Sequence, residues 1–78
     1  MDLLSSVFSG RVPVRSSNLA SVGYDWFTGV LEIEFRNGRI YEYYGVPAGY
    51  YAGLMAAGSH GSYFAKFIRP KFNYSRIQ

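Results

Sequence analysis

The sequence predicts a small α+β domain: an antiparallel β-meander of three to four strands, then two short helices packed on one face. Three observations carry this. Val30 to Arg36 alternates apolar and acidic residues and runs into Asn37-Gly38, the strongest hairpin signal in the chain. Between Pro47 and Gly58, residues suited to a helix start and end, Tyr50, Tyr51, Leu54 and Met55 recur at helical spacing. After Ser59, an N-cap residue type, Tyr63, Phe64, Phe67 and Ile68 form a second stripe that Pro70 stops.

Taken in order, residues 1–10 form an N-terminal extension, set apart by Gly10, and residues 11–78 a single domain. Arg11 to Arg15 is a short strand with Val12 and Val14 alternating, and Pro13 confines it to a sheet edge. Ser16-Ser17-Asn18 is a polar turn. Ser21 to Asp25 is a second strand, turned by Thr28-Gly29 into the third, where Leu31, Ile33 and Phe35 share one face and Glu32 and Glu34 the other. Arg39 to Tyr44 is the fourth strand, and the tail from Lys71 alternates Phe72, Tyr74 and Arg76 in an extended pattern.

The register of the third and fourth strands decides which way the tyrosines point. A two-residue turn sets Ile33 opposite Glu42 and places a carboxylate on the core face. A turn over Arg36-Asn37-Gly38 with a glycine bulge sets Ile33 opposite Tyr41, Leu31 opposite Tyr43 and Glu42 opposite Glu32 on the wet face. Exposed like charges cost a few tenths of a kcal/mol, an unpaired buried carboxylate several. The bulged register is therefore expected, with Tyr41 and Tyr43 inward.

At 78 residues the core is thin, and small domains are usually stapled by disulfides, a metal or a second subunit. The chain has no cysteine and one histidine, His60, so neither disulfide nor zinc is expected, and no other metal or cofactor. Fifteen aromatic residues exceed what one thin core encloses, which points to a homo-oligomer or a ligand surface. No stretch approaches the ~20 apolar residues of a membrane span, and the first residues lack a basic signal-peptide region; a cytoplasmic protein without membrane contact is expected.

Catalysis is not expected. His60 has no acid near it in sequence, and Glu32 and Glu34 alternate along a strand as solubilising residues do. The charge distribution is more informative. All five acids lie at or before Glu42, while Lys66, Arg69, Lys71 and Arg76 follow it, either as a solvated basic tail or as the footprint of an anionic partner. Ser59-His60-Gly61-Ser62 could open a helix toward phosphate, with Gly61 allowing close backbone approach. Arg69 and Lys71 are expected to converge there, with Lys66 alongside and Arg36 far away on the hairpin tip. Tyr63, Phe72 and Tyr74 either stack on bases beside Arg69, Lys71 and Arg76, or Phe72 and Tyr74 dock the tail on the sheet.

Several of these segments together resemble the KTSC domain, named for the C-terminus of some lysyl-tRNA synthetases and found also as small bacterial proteins, with similar sequences in phages. They are Ser16-Ser17-Asn18-Leu19-Ala20-Ser21-Val22-Gly23-Tyr24-Asp25, Leu31-Glu32-Ile33-Glu34-Phe35, Tyr41-Glu42-Tyr43 before Val46-Pro47, Ser59-x-Gly61-x-Tyr63-Phe64, and Ile68-Arg69. The resemblance spans residues 12 to 77 and brings no catalytic residue. It makes Tyr41 and Tyr43 a central pair and Ser59, Gly61, Tyr63, Phe64 and Arg69 a C-terminal signature. Residues and resemblance together lead to the expectation of a non-enzymatic binder of a phosphate-bearing ligand, RNA or another nucleic acid. The alternatives are a homo-oligomer that sequesters a small nucleotide and a protein–protein interaction module.

Overall fold

Short turns reverse the chain three times, so the first four strands pair only with their sequence neighbours. The computed structural model describes residues 10–78, and all of the expected extension but Gly10 lies outside them. The strands are β1 (Val12–Pro13), β2 (Leu19–Tyr24), β3 (Leu31–Phe35) and β4 (Ile40–Tyr43). They lead to helix α1 (Ala48–Ala56), one turn of α-helix α2 (His60–Tyr63) and a contiguous π-helix (Phe64–Ile68). The tail then returns as β5 (Tyr74–Arg76) against β4, completing a five-stranded antiparallel sheet in the order β1-β2-β3-β4-β5. The extended pattern of the tail thus makes one strand more than the meander expected from the sequence.

The bulged hairpin forms. Leu31 lies opposite Tyr43, Glu32 opposite Glu42 and Ile33 opposite Tyr41. Gly38 takes φ +89°, a left-handed conformation that suits glycine, and its N–H donates to the Phe35 carbonyl at 2.9 Å. The Asn37 side-chain oxygen accepts the Arg39 N–H at 3.0 Å, closing the turn from the other side.

Because paired residues share a face, Leu19, Val22, Leu31, Ile33 and Tyr43 line the side covered by the helices, and all are buried. Val46, Leu54, Phe64 and Ile68 close the core from above. Gly53 lets Tyr63 lie against α1, since a Cβ there would come within 2.7 Å of the Tyr63 ring. Pro47 stands one place earlier than expected: its ψ of 147° is extended, and it serves as N-cap while its carbonyl accepts the Tyr50 N–H. Val12 and Val14 part company, because β1 ends at Pro13 and the chain then turns Val14 into the core.

The opposite face corrects an expectation. Glu32, assigned there to water, is 1% exposed. Arg11 reaches over it, forms an ion pair with its carboxylate and donates from Nε to the Ser21 hydroxyl at 3.0 Å; Ser21 in turn donates to Glu34 at 2.7 Å. Burial pushes the Glu32 carboxyl above its ordinary value, against the hydrogen bond and charge of Arg11, while Glu42 and Glu34 push it further up.

Removing one partner of a buried pair leaves an uncompensated charge, so Arg11→Met should cost about 3 kcal/mol near neutral pH in urea denaturation. A carboxyl whose folded pKa lies above its unfolded value favours the folded state on protonation. The penalty should therefore shrink as pH falls through that raised value. Adding Glu32→Gln should restore most of the loss; a pH-independent loss that Glu32→Gln does not relieve would contradict this.

Candidate ligand-binding groove

Side chains at the start of α2 are largely committed to internal bonds. The Ser59 hydroxyl caps the turn, accepting the Ser62 N–H at 3.2 Å. His60 Nδ1 lies 2.7 Å from the Leu54 carbonyl; a carbonyl only accepts, so Nδ1 carries the proton and the ring ties α2 to the end of α1. Gly61 faces the Ser16–Asn18 turn, where an added Cβ would meet Ser16 Oγ at 3.5 Å and Asn18 Cβ at 3.8 Å. A polar cleft of about 370 Å³ opens beside them, with Arg15, Ser59, His60, Gly61 and Ser62 on its walls.

The downstream cations do not converge on that cleft. Lys71 donates from Nζ to the Tyr50 hydroxyl at 2.9 Å, beside α1. Lys66 Nζ lies 5.4 Å from the centre of the Phe67 ring, and Arg76, on β5, donates to the Gln78 carbonyl at 3.1 Å. Arg69 enters a second, separate depression. Its N–H bonds to the Phe64 carbonyl at 2.9 Å, a π-type turn one residue wider than an α-helical one, and this resets the face that Arg69 occupies. The expected single site of Ser59, Gly61, Arg69 and Lys71 is thus divided among three places. Arg36 is not a free hairpin tip either: it donates to the Ser16 and Val14 carbonyls at 3.1 and 3.0 Å and fastens the β1–β2 loop.

The second depression is a groove of about 270 Å³ between the β3–β4 hairpin, β5 and the π-helix. Its floor is aromatic. Tyr43 and Phe64 meet edge to face at 5.3 Å, and Phe35 meets Phe64 and Tyr41 at 5.5 Å each. Tyr41 and Tyr74 form a wall, their centroids 5.5 Å apart, with Tyr74 55% exposed. Arg39 and Arg69 line the same groove with the amides of Asn18 and Asn37. Burial pushes the Tyr43 phenol up to about 12; Tyr74 and Tyr41 add to this and Arg69 opposes it.

Of the residues expected at a site, only Arg69 and Tyr74 line this groove; Phe35, Arg39, Tyr41, Asn18 and Asn37 were not anticipated. The hairpin register could have found Phe35 and Tyr41, which it places on one face. Nothing in the local sequence brings Asn18 or Arg69 to them. Among the described residues, no cluster of His, Cys, Asp and Glu could hold a metal ion, and no helix is long and apolar enough to cross a membrane.

Residues 15–72 match the family model described as the KTSC domain. A crystal structure of a KTSC domain protein from Yersinia pestis superposes with a TM-score of 0.85 at 41% identity, covering 87% of this chain and 96% of that one. An uncharacterised protein of Stutzerimonas stutzeri is 40% identical over 68 residues, 86% of this chain and 96% of its own length. A lysine–tRNA ligase of Trichormus variabilis is 43% identical over 54 residues, 69% of this chain, which spans 10% of that enzyme.

Tyr43 offers a test of the groove floor. Its folded pKa of about 12 exceeds the ordinary phenol value of 10, so its contribution is complete below pH ~10 and is lost as pH rises toward ~12. Between those limits the wild type should lose on the order of 2 kcal/mol that Tyr43→Phe does not lose. Parallel alkaline denaturation curves for the two proteins would show that the phenol is not held in a dry floor.

Proposed function

This chain belongs to the KTSC domain family, and from that premise we propose a non-enzymatic module that binds a phosphate-bearing ligand, single-stranded RNA foremost, in the tyrosine groove. The observation that carries the reading is the pairing of an aromatic wall, half-buried Tyr41 and exposed Tyr74, with two arginines, Arg39 and Arg69, around one depression. Aromatic faces stack on bases at about 1–3 kcal/mol each, guanidinium groups hold phosphates, and the Asn18 and Asn37 amides suit base edges. Sheet electrostatics support the same face: Glu32, Glu34 and Glu42 belong to the opposite one, so the groove side keeps its positive charge. Several relatives are lysine–tRNA ligases, whose named substrate is an RNA.

A second reading, a binder of one small nucleotide, draws on the size of the groove. A volume of about 270 Å³ lies at the small end of ligand pockets and suits a single base. Salt dependence distinguishes the two, because each phosphate neutralised on a single strand adds ~0.7 to the slope of log affinity against log salt.

Fluorescence anisotropy with a short uridine-rich RNA should show Arg39→Glu and Arg69→Glu each weakening binding well over ~10-fold, about 1.4 kcal/mol or more. Arg39→Gln should lower the salt slope by ~0.7. Arg15→Glu, beside the serine-rich cleft, should matter far less. Loss at Arg15 with Arg39 and Arg69 indifferent would move the site to that cleft, and equal losses at all three would indicate diffuse attraction without a groove.

A further inference from the structure

The two edges of the sheet are unlike. β1 is two residues long and includes Pro13, which has no N–H to offer. β5 is exposed along its whole length, contains no proline and has no strand on its outer side among the described residues. Its hydrogen-bonding direction follows from its neighbours. Tyr44 N–H donates to the Asn73 carbonyl at 2.9 Å and Ile77 N–H to the Ile40 carbonyl at 2.8 Å. Residues 73 and 77 thus turn their backbone groups toward β4, and by antiparallel alternation Ser75 does the same. The N–H and carbonyl groups of Tyr74 and Arg76 are left pointing outward.

Two outward-facing residues separated by one inward-facing residue make an edge that is complementary to itself. A two-fold axis at Ser75 sets Tyr74 opposite Arg76 of the partner subunit, and Arg76 opposite the partner's Tyr74, with four backbone hydrogen bonds closed. The side chains agree with this pairing. Tyr74 pairs with Tyr43 and Arg76 with Tyr41, so both project on the groove face. Cross-strand pairing would lay the guanidinium of Arg76 of the partner subunit beside the 55% exposed Tyr74 ring, cation against aromatic. Ile77, 49% exposed, follows directly along this edge.

We propose that the protein pairs with a second copy of itself along β5, and that Arg76 of the partner subunit completes the groove formed by Arg39, Arg69, Tyr41 and Tyr74. The two grooves then lie on one face of a continuous ten-stranded sheet, each with a third guanidinium at its mouth. The completion of the groove rests on the RNA-binding reading; the pairing does not.

The chain has no cysteine, so Ser75→Cys supplies a single thiol. About the proposed axis Ser75 is a non-hydrogen-bonded pair with Cα atoms ~4.5 Å apart, within disulfide reach. On mild oxidation at micromolar concentration, Ser75→Cys should form a disulfide dimer at least ~10-fold faster than Ser17→Cys on the exposed β1–β2 turn. Sedimentation should show the wild type at twice 8.8 kDa and Arg76→Pro as a monomer with its thermal midpoint nearly unchanged, since that N–H makes no bond to β4. A wild type that stays at 8.8 kDa at ~100 µM, with Ser75→Cys no faster than Ser17→Cys, would overturn the pairing. Given a dimer that binds the RNA probe, Arg76→Gln should keep the dimer and weaken binding several-fold. Unchanged binding by that variant overturns the completion of the groove alone, whereas a dimer that binds no RNA contradicts the RNA reading and leaves the pairing intact.

Discussion

The register of the β3–β4 hairpin is the constraint on which the rest depends. Strand side chains alternate faces with period two, so a one-residue slip would send Tyr41 and Tyr43 to the far side and bring Glu42 under the helices. Gly38, at φ +89°, and the Asn37 side chain hold the three-residue turn that prevents this. With the register set, Tyr43 is buried against Phe64, which seats the π-helix, and Tyr41 stands beside Phe35 at the groove. The same turn leaves Arg39 at the head of β4, on the groove wall. Core packing and the lining of the candidate groove are therefore set by one local backbone choice.

That choice also sorts charge. The strand acids gather on the face away from the groove, where Arg11, Ser21, Glu32 and Glu34 form one polar network. A carboxylate as enclosed as Glu32 would cost several kcal/mol without a partner, and Arg11 supplies it. The acids that dilute the net charge of the chain thereby leave the tyrosine face cationic, and a modest total of +3 understates the field an anionic ligand would meet there.

The fold was largely legible because its signals are local. Asn37-Gly38, the alternation through Leu31, Ile33 and Phe35, and the Ser59 cap each report on a few adjacent residues, and each formed as expected. The candidate site was legible only in part because it is assembled from segments far apart in sequence. Arg69 and Tyr74 were anticipated, but Asn18 reaches the groove from the β1–β2 turn and Arg69 arrives through a π-turn with no sequence signature. The acidity of the β3 face suggested water, since a period-two pattern cannot show that Arg11 will lie across it. At the serine-rich helix start, neither the His60 bond to Leu54 nor the Ser16–Asn18 turn beside Gly61 can be read from adjacent residues.

Chemical-shift mapping of the ¹⁵N-labelled protein during titration with a short single-stranded RNA locates contact without disturbing the register. For a ligand in the tyrosine groove the shifts should cluster at Asn18, Asn37, Arg39, Tyr41, Arg69 and Tyr74, with the backbone of Ser59 to Ser62 little changed. Shifts concentrated at Ser59 to Ser62 and Arg15 to Ser17, with Arg39 and Tyr41 silent, would contradict that placement.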